Sequence, residues 1–303
     1  MDFELFNTYS NKTELFIPLD DNDIRIYACG PTVYDYIHVG NARPLIIFDV
    51  LVRFLKLIYP KVTYVRNITD VDDKIIVQAN QNKESINNLT ERTIKAFSDD
   101  ADALFVKKPD FEPRATEHIQ EMLKMIKVLL ESGNAYLSDG HVLFSVSSMP
   151  NYGKLSGMNL SEMIDGARVE VSDYKKEPAD FVLWKPSKTG ELGWHSDFGF
   201  GRPGWHIECS AMSEKYLGKQ FDIHAGGLDL IFPHHENEIA QSCCNNSTQK
   251  FSNYWVHNGF VTIDKEKMSK SLGNIVTISD AVKKYSGQVV RLALMSAHYS
   301  QPL

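Results

Sequence analysis

A histidine, a glycine and an asparagine lie close together between a predicted strand and a predicted helix. The segment is His38-Val-Gly40-Asn41, and it follows the apolar stretch at 24–30. Glycine lets a ligand approach the backbone closely, and the unpaired N–H groups at a helix start favour phosphate. A histidine can also donate a hydrogen bond to a phosphoryl oxygen. The segment predicts a phosphate-binding turn, with a capped helix start and a surface histidine as the alternative.

A second motif, Lys267-Met-Ser-Lys270-Ser271, lies in a charged stretch rich in glycine and serine. Two lysines three residues apart, with hydroxyls nearby, suit a loop that closes over a polyphosphate. Lys270 would neutralise charge that develops on a departing pyrophosphate. The motif lacks the G-x-x-x-x-G-K-[ST] pattern of a Walker phosphate loop. A solvated basic loop is the alternative interpretation.

Two cysteines, a histidine and a glutamate could together hold a zinc ion. His234 and Glu238 are four residues apart, so one helix would present both on the same face. With the thiolates of Cys29 and Cys209 they make a reasonable tetrahedral zinc set. Spacing does not identify these ligands, because each cysteine is equally a core residue and His235 is an equal rival to His234. The segment is not H-E-x-x-H, so the metalloprotease motif is absent.

Three aspartates and a lysine follow the predicted strand at 62–68, in the segment Thr69-Asp-Val-Asp-Asp-Lys74. Clustered carboxylates can bind Mg²⁺, but the glycine and the closing glutamate of an EF-hand loop are missing. We expect a structural role for these aspartates, with Thr69 at the strand end facing the site.

The elements that must position these residues alternate between strand and helix patterns. Residues 24–30 have a strand pattern, apolar residues recur at helical spacing from 41 to about 58, and residues 62–68 form a second strand. This order makes a βαβ unit, which implies a parallel sheet. Ligand sites gather at the carboxyl ends of such strands, where Cys29 lies.

The rest of the sequence predicts a second group of the same kind after an irregular region. Helices are predicted at 84–105, 114–132, 206–216, 236–244 and 279–295, strands at 221–227 and 254–263, and a hairpin at 135–147 around Asp139-Gly140. Residues 148–204 are rich in Gly, Pro and Ser. We therefore predict a parallel α/β sheet built from two halves, with an irregular insertion at about 113–200.

Composition and charge exclude several protein classes. The 303 residues carry 32 Lys+Arg and 39 Asp+Glu and are 43% hydrophobic, which excludes a disordered, collagenous or coiled-coil chain. No apolar run reaches the roughly 18–20 residues of a membrane helix, and the N-terminus has no targeting pattern, so we expect a cytoplasmic protein without membrane contact.

The four cysteines are too few for a disulfide scaffold, and we expect Cys243 and Cys244 in the core. Residues 256–303 carry a charge of +3 within a net charge of −7, which favours a phosphate-bearing partner there.

Five segments, in this order, resemble the class I aminoacyl-tRNA synthetases and, among them, the cysteinyl-tRNA synthetase family. His38-Val-Gly40-Asn41 is similar to the HIGH signature, and Lys267–Ser271 is identical to the KMSKS signature. The HIGH-like signature lies within the first segment, YACGPTVYDYIHVGNAR (27–43). The other three segments are NITDVDDKII (67–76), GRPGWHIECSAMSEKYLG (201–218) and HAGGLDLIFPHHENEIAQ (224–241). The resemblance extends from Phe6 to the end. It implies an α/β fold: a Rossmann-like parallel-sheet catalytic domain in two halves with a connective insertion, followed by a helical stem-contact segment.

The domain plan of the family, transferred to this sequence, has four parts. The parts are 1–112 for the first half of the catalytic domain, 113–200 for the connective insertion, 201–255 for the second half, and 256–303 for the KMSKS loop and the start of the stem-contact region. The family continues into a helical bundle and an anticodon-binding domain. We therefore interpret this sequence as a truncated catalytic part, expected to keep amino-acid activation, with tRNA charging an open question.

The resemblance also implies roles for individual residues. One zinc ion per chain would be held by Cys29, Cys209, His234 and Glu238 and would select the cysteine thiolate. The substrate cysteine would be bound by Cys29, Thr69, Trp205, His224 and Asp229. ATP, with Mg²⁺, would be bound by His38, Gly40, Asn41, Gly227, Asp229, Gly259 and Lys270. The catalytic residues would be His38, Asn41, Lys267 and Lys270, and whether Asp229 contacts the substrate amine or the ribose stays open.

The implied activity is activation of L-cysteine by ATP to cysteinyl-adenylate and transfer to the 3′ end of tRNA(Cys), in a protein that we expect to be a monomer. A pocket alone discriminates poorly between cysteine and serine, so a thiolate bond to zinc would make the selection. One alternative is a mycothiol-type cysteine ligase with an amino-sugar acceptor, and another is a non-catalytic truncated synthetase-like module. A Rossmann oxidoreductase is disfavoured because no G-x-G-x-x-G follows the first strand.

Overall fold

A computed structural model describes residues 3–159, 162–163, 172–188, 190–263, 266–267 and 275–303. Its strands are β1 (Glu4–Asn7), β2 (Lys12–Leu15), β3 (Ile24–Ala28), β4 (Val62–Arg66), β5 (Ala135–Ser138), β6 (His141–Phe144), β7 (Phe181–Pro186), β8 (Gly201–Pro203), β9 (Phe221–Gly227), β10 (Ser252–Asn258), β11 (Thr262–Ile263) and β12 (Glu266–Lys267). Its helices are α1 (Val39–Ile58), α2 (Asp73–Asn82), α3 (Ile86–Ala103), α4 (Ile119–Glu131), α5 (Trp205–Leu217), α6 (Glu236–Asn246), α7 (Ile278–Lys284) and α8 (Gly287–Leu294).

Four parallel strands form the central sheet, in the order β10–β9–β3–β4. β3 pairs with both β4 and β9, and β9 pairs with β10, in parallel in each case. α1 connects β3 to β4, because a parallel pair needs a crossover element rather than a tight turn. The sequence-based prediction of an α/β fold with a parallel sheet is therefore confirmed.

Helices cover both faces of this sheet. Neighbouring residues of β3 point to opposite faces, since the side-chain period of a strand is two. Ile26 packs with Phe48 of α1 and with Ile223 on one face, whereas Tyr27 joins Met212 of α5 on the other. Both faces bury apolar side chains, which explains why the strands are apolar throughout. Among the described helices, none combines the length and the apolar character needed to cross a bilayer.

The region between the two halves of the sheet carries a second, antiparallel sheet in the order β5–β6–β7–β8. β5 and β6 form the predicted hairpin, and Asp139 and Gly140 at its turn have φ values of 46° and 74°. Positive φ at both positions matches the twist of a two-residue hairpin turn. β8 pairs with β7, so this sheet extends past residue 200. The domain boundaries stay a prediction.

Two element predictions at the C-terminal side are wrong. The predicted helix at 279–295 is two helices, α7 and α8, because Ser286 accepts a hydrogen bond from the Val289 N–H and starts a new helix. The predicted strand at 254–263 ends at Asn258. Beyond it the Gly259 N–H donates to the Tyr299 carbonyl, so the chain leaves the sheet to pair with the last residues. In addition, α2 was missed by the sequence patterns.

Candidate active site at the carboxyl edge of the sheet

A cavity of about 430 Å³ lies at the carboxyl ends of all four parallel strands. Its walls include the residues that follow each strand: Cys29 after β3, Asn67 after β4, Asp229 after β9 and Gly259 after β10. The start of α1 and Trp205 of α5 also line it. This edge is where open α/β sheets bind ligands, so the topology places the candidate residues as the βαβ prediction expects.

Four ligand-type side chains from separate parts of the chain meet at this cavity. Cys29 follows β3 directly, and Cys209 lies in α5. His234 lies in the short helical turn Ile231–His235 before α6, and Glu238 lies in the first turn of α6. Their ligand atoms all lie within 4.8 Å of one another. Glu238 is fully buried and His234 and Cys209 are nearly so.

Two of the three distances within this cluster fit a tetrahedral zinc ion, and the third is slightly shorter. Bonds of about 2.0–2.3 Å at tetrahedral angles separate ligand atoms by roughly 3.3–3.8 Å. Cys29 Sγ lies 3.7 Å from Cys209 Sγ and 3.4 Å from Glu238 Oε1. His234 Nε2 lies 3.0 Å from the same carboxylate oxygen. The donor set of two thiolates, an imidazole and a carboxylate oxygen is one that zinc accepts.

Two further buried histidines lie within hydrogen-bond distance of members of the cluster. His206 Nδ1 lies 3.0 Å from His234 Nδ1, and His224 Nε2 lies 2.8 Å from Glu238 Oε2. Burial lowers the pKa of His206 well below its ordinary value, so this ring is neutral and its Nδ1 can accept. The Nε2 atom of His234 is then left to face the cavity cluster. Such hydrogen bonds fix the tautomer and orientation of metal-binding side chains.

The rival residue His235 belongs to a second group that shares two members with the first. Ligand atoms of Cys29, His224, His235 and Glu238 also lie within 4.8 Å of one another. However, His235 Nε2 lies 4.0 Å from Glu238 Oε1, and its Nδ1 lies 2.7 Å from His257 Nε2. This group also lacks a second thiol. Burial lowers the pKa of His235 well below its ordinary value and that of His257 to about 3, so both rings are neutral.

The electrostatics of the first cluster favour a bound cation. Burial opposes ionisation of Glu238, but His224 and His234 lower the pKa of its carboxyl to about 2. Burial also opposes ionisation of Cys209, yet hydrogen bonds from Cys29 and His234 lower the pKa of this thiol to about 6. Burial and the neighbouring Cys209 raise the pKa of Cys29 well above its ordinary value. A cation that binds here would displace the remaining protons.

The start of α1 forms another part of the cavity wall. His38 caps the helix: its Nδ1 accepts from the Gly40 N–H at 3.1 Å, and Asn41 Oδ1 accepts from the His38 N–H at 3.3 Å. The Val39 N–H donates to the Val276 carbonyl at 3.0 Å. The expectation of unpaired N–H groups at this helix start is therefore wrong, because the cap and the neighbouring segment already bind them. The side chains of His38 and Asn41 still lie at the cavity.

The segment that follows the KMSKS motif lies directly beside the HIGH-like motif. Ile278 N–H donates to the Ile37 carbonyl at 3.2 Å, and Thr277 bridges to His38. The two signatures are more than 200 residues apart in sequence. Lys267 is a position in β12, opposite Thr262, and Lys270 lies outside the described residues.

Two small residues of the site have a structural reason to be glycine. Gly259 follows β10, and a Cβ atom there would lie 2.3 Å from the Gln301 carbonyl oxygen. Gly30 follows Cys29, and a Cβ atom there would lie 1.7 Å from the Asn67 carbonyl oxygen. Both positions accept only glycine because another segment of backbone packs against them.

Most of the predicted site residues line the cavity, and two lie behind it. The lining residues are Cys29, His38, Gly40, Asn41, Thr69, Trp205, Cys209, Gly227, Asp229, His234 and Gly259. His224 and Glu238 are fully buried and are not part of the lining. His224 stacks on Trp255, with ring centroids 4.4 Å apart, and Trp205 stacks on His234 at 4.3 Å. Trp205 also lines a second cavity of about 250 Å³ on the side of the antiparallel sheet.

The aspartates after β4 have the structural roles that the sequence predicts. The Thr116 N–H and hydroxyl donate to Asp70, and Asp72 caps α2 by accepting from the Lys74 N–H. Asp73 pairs with Lys185 and Arg202. The expected core position of the adjacent cysteines is also confirmed, because Cys243 is buried in the main cluster and Cys244 packs against it.

Sequence reasoning missed several buried polar residues that support the site. Asn67, His206, Glu208 and His257 are each 9% exposed or less. Asn67 and Glu208 both hydrogen-bond to Thr69. The available signal was weak: Glu208 precedes a candidate ligand, but polar residues in a sequence do not reveal their burial.

Comparisons with known proteins agree with this geometry. The family described as "tRNA synthetases class I (C) catalytic domain" matches residues 15–303. The cysteine–tRNA ligase of Rhodospirillum centenum is 58% identical over 303 residues, and that of Rhodospirillum rubrum is 57% identical over 302 residues. Each match covers 100% of this chain and 66% of the relative, so the chain spans about two thirds of the length of these proteins.

Solved structures share the fold at low sequence identity. Mycobacterium tuberculosis methionyl-tRNA synthetase in complex with methionyl-adenylate matches with a TM-score of 0.71 and 16% identity, over 93% of this chain and 66% of that one. A putative arginyl-tRNA synthetase from Campylobacter jejuni matches with a TM-score of 0.64 and 11% identity, over 93% of this chain and 65% of that one. The likeness extends over both halves of the sheet and the region between them.

Proposed function

Since this chain belongs to the class I tRNA synthetase family and matches its catalytic domain, we propose that it activates L-cysteine with ATP and passes it to tRNA(Cys). The observation that carries this proposal is the cluster of Cys29, Cys209, His234 and Glu238 at the cavity that also holds the start of α1. The proposed thiol-selecting centre and the proposed nucleotide-binding helix start thus share one cavity. The relatives that carry the name cysteine–tRNA ligase support the same activity.

At the amino-acid end, the four clustered side chains would hold zinc. Bound zinc supplies a bond to a thiolate that is much stronger than its bond to a neutral hydroxyl, which would select cysteine over serine. His206 and His224 orient the ligands His234 and Glu238 through hydrogen bonds. Trp205 stacks on His234 and is 38% exposed, so it can contact a substrate in the cavity.

At the nucleotide end, the start of α1 would bind the phosphates of ATP and its Mg²⁺. The cysteine carboxylate would attack the α-phosphorus in line, and pyrophosphate would leave with the electron pair of the broken P–O bond. This chemistry needs positioning and charge stabilisation rather than a protein nucleophile. His38 and Asn41 are proposed to hold phosphate oxygens, Gly40 and Gly227 to leave room for the nucleotide, and the backbone at Gly259 to accommodate the adenosine.

The KMSKS segment is proposed to complete the site during the reaction. Val276 and Thr277, which follow the motif in the sequence, contact the start of α1 beside the proposed phosphate site. Lys267 and Lys270 would neutralise charge on the departing pyrophosphate. Asp229 lines the cavity after β9 and would contact the substrate amine or the ribose.

The acceptor of the activated cysteine is proposed to be the 3′ end of tRNA(Cys). The second cavity lies beside the antiparallel sheet and shares Trp205 with the first cavity. Lys185 and Arg202 line it and are paired with Asp73. The basic residues 256–303 are proposed to contact the tRNA stem. We expect the chain to act as a monomer.

Cysteine-dependent ATP–pyrophosphate exchange, with serine in parallel and zinc content determined on the same sample, tests the proposal. We expect exchange with cysteine, at least about 100-fold less with serine, and one zinc per chain. Cys209→Ser should lose both zinc and cysteine-dependent exchange. Cys244→Ser, at a half-buried thiol outside the cluster, should keep both. A folded, zinc-loaded protein without exchange would contradict the proposed activation.

The acceptor is tested separately with tRNA. Transfer of radiolabelled cysteine to tRNA(Cys) transcripts, compared with transfer to an amino-sugar inositol, distinguishes a tRNA ligase from a mycothiol-type ligase. We expect label on the tRNA only. Label on the amino sugar would retain the proposed activation and overturn the proposed acceptor.

A further inference from the structure

We propose that Glu208 is a positioning residue that controls the hydroxyl proton of Thr69 and thereby helps the site to prefer a thiol to a hydroxyl side chain. The inference rests on the proposed function, since it concerns the substrate that this cavity selects. It assigns a role to Glu208, a residue that lines no part of the main cavity.

The hydrogen bonds around Thr69 carry the proposal. The Thr69 hydroxyl donates to Glu208 Oε2 at 3.0 Å, and Asn67 Nδ2 donates to Thr69 Oγ1 at 3.2 Å. All three side chains are 2% exposed or less. A hydroxyl has a single proton and two lone pairs. Burial raises the pKa of the Glu208 carboxyl well above its ordinary value, but a neutral carboxyl still has a carbonyl oxygen that accepts. In this geometry the Thr69 proton points to Glu208 and away from a ligand in the cavity.

Asn67 connects this hydrogen-bond network to both cysteines of the candidate zinc cluster. Asn67 Oδ1 accepts from the Gly30 N–H at 2.9 Å and lies 3.7 Å from Cys209 Sγ. Gly30 follows Cys29, and the Asn67 backbone packs so closely against Gly30 that no Cβ atom fits between them. Thr69 is thus held at a defined position relative to Cys29 and Cys209, and all three line the same cavity.

Glu208 reaches Thr69 from the other side of this wall. It precedes Cys209 on α5, and it lines the second cavity together with His206 and Trp205. Among the described residues, the Thr69 hydroxyl connects this carboxyl group to the main cavity through a hydrogen bond. This arrangement makes Glu208 a positioning residue rather than a catalytic one.

The consequence for selectivity follows from hydrogen-bonding capacity. A hydroxyl group that leaves water needs a hydrogen-bond partner, whereas a thiol is only a weak donor and acceptor. A free Thr69 hydroxyl could donate to the oxygen of a bound serine. Because Glu208 takes that proton, serine loses a possible donor in the pocket while cysteine loses almost nothing.

Glu208→Leu in the full chain tests the proposal, because leucine fills a similar volume without accepting a hydrogen bond. The measured quantity is the ratio of kcat/KM for cysteine to that for serine in ATP–pyrophosphate exchange. We expect this ratio to fall about tenfold. Calorimetric Kd values for the two amino acids without ATP should change in the same direction, and zinc content should stay at one per chain. Glu208→Gln, which keeps an acceptor oxygen, should stay within about threefold of the wild-type ratio.

A double-mutant cycle with Thr69→Val separates this role from a general structural one. In the Thr69→Val background there is no hydroxyl proton, so Glu208→Leu should no longer change the ratio. If Glu208→Leu does not fold, Glu208→Met gives the same comparison. A ratio unchanged by either variant, or an equal change with and without the Thr69 hydroxyl, overturns the inference. A wild-type protein without cysteine-dependent exchange would instead contradict the proposed function.

Discussion

At the scale of single residues, the neighbouring histidines of the PHHENE segment have different surroundings. His234 Nε2 faces Glu238 at 3.0 Å beside two thiols, whereas His235 is held by His257 at 2.7 Å. The His257 ring is in turn bound to the Thr8 hydroxyl at 2.8 Å. Adjacent residues on a helix point about 100° apart, so only one of them can face a given ligand.

We therefore predict that His234→Gln loses zinc and that His235→Gln retains it. Removal of a ligand should weaken zinc binding by more than the roughly 10- to 100-fold typical of removing a hydrogen-bonding partner of a ligand. Metal analysis after dialysis against a graded chelator series measures both variants side by side. Zinc loss confined to the His235 variant would contradict this assignment and favour the second group of ligands.

At the scale of elements, α3 ends on an unfavourable concentration of negative charge. Asp99, Asp100 and Asp102 lie in its last five residues, and no basic residue lies in its last turn. A helix carboxyl end is itself partially negative, so these aspartates are destabilising there. Asp100 is 8% exposed, and burial with the neighbouring Asp99 raises the pKa of its carboxyl to about 6.

This raised pKa predicts that Asp100→Asn stabilises the folded protein, and that the stabilisation depends on pH. The native carboxyl binds its proton more tightly than the unfolded chain does, so the wild type loses stability as pH rises from about 4 to about 6. At pH 7 the free energy of unfolding of the variant should therefore exceed that of the wild type by about 1 kcal/mol, after allowance for partial solvation, and its unfolding temperature should be higher. Below about pH 4 the two proteins should be equally stable. Thermal unfolding across this pH range measures the effect, with the exposed Asp102→Asn as control. A gain that is equal at all pH values would rule out this titration.

At the scale of the whole molecule, a single buried arginine joins α1 to the last residues of the chain. Arg43 is fully buried and donates to the carbonyls of Gly259 and Phe260 at 2.9 Å and of His298 at 3.2 Å. Gly259 lines the cavity at the end of β10. The helix that begins at His38 is thereby attached to the other side of the proposed nucleotide site.

We predict that Arg43→Met destabilises the protein by about 3 kcal/mol, or roughly 5–10 °C in Tm, because three carbonyls lose a charged donor. The KM for ATP should rise as well, since the Gly259 backbone is released. Calorimetry and exchange kinetics measure the two effects. Arg92→Met, at an exposed pair with Glu84, serves as control and should change Tm by less than 2 °C or so. An unchanged Tm in Arg43→Met would contradict the anchoring role.

The sequence alone determined the parallel sheet and most of its elements, because periodicity and turn residues are local properties. The pattern from 24 to 68 predicted β3, α1 and β4, and Asp139-Gly140 predicted the hairpin turn. The division of the predicted terminal helix at Ser286 has a local cause, a serine cap three residues before Val289, which apolar periodicity alone does not show. The departure of the chain from the sheet at Gly259 depends on pairing with Tyr299, far along the chain.

The candidate ligands show the same division. Residue types nominated Cys29, Cys209, His234 and Glu238, but only the tertiary structure brings them within 4.8 Å of one another, because they come from three separate parts of the chain. The supporting residues His206, Asn67 and Glu208 are buried, and the sequence does not show whether a polar residue is buried. Local spacing thus determined the elements, and long-range packing decided which side chains face each other across the cavity.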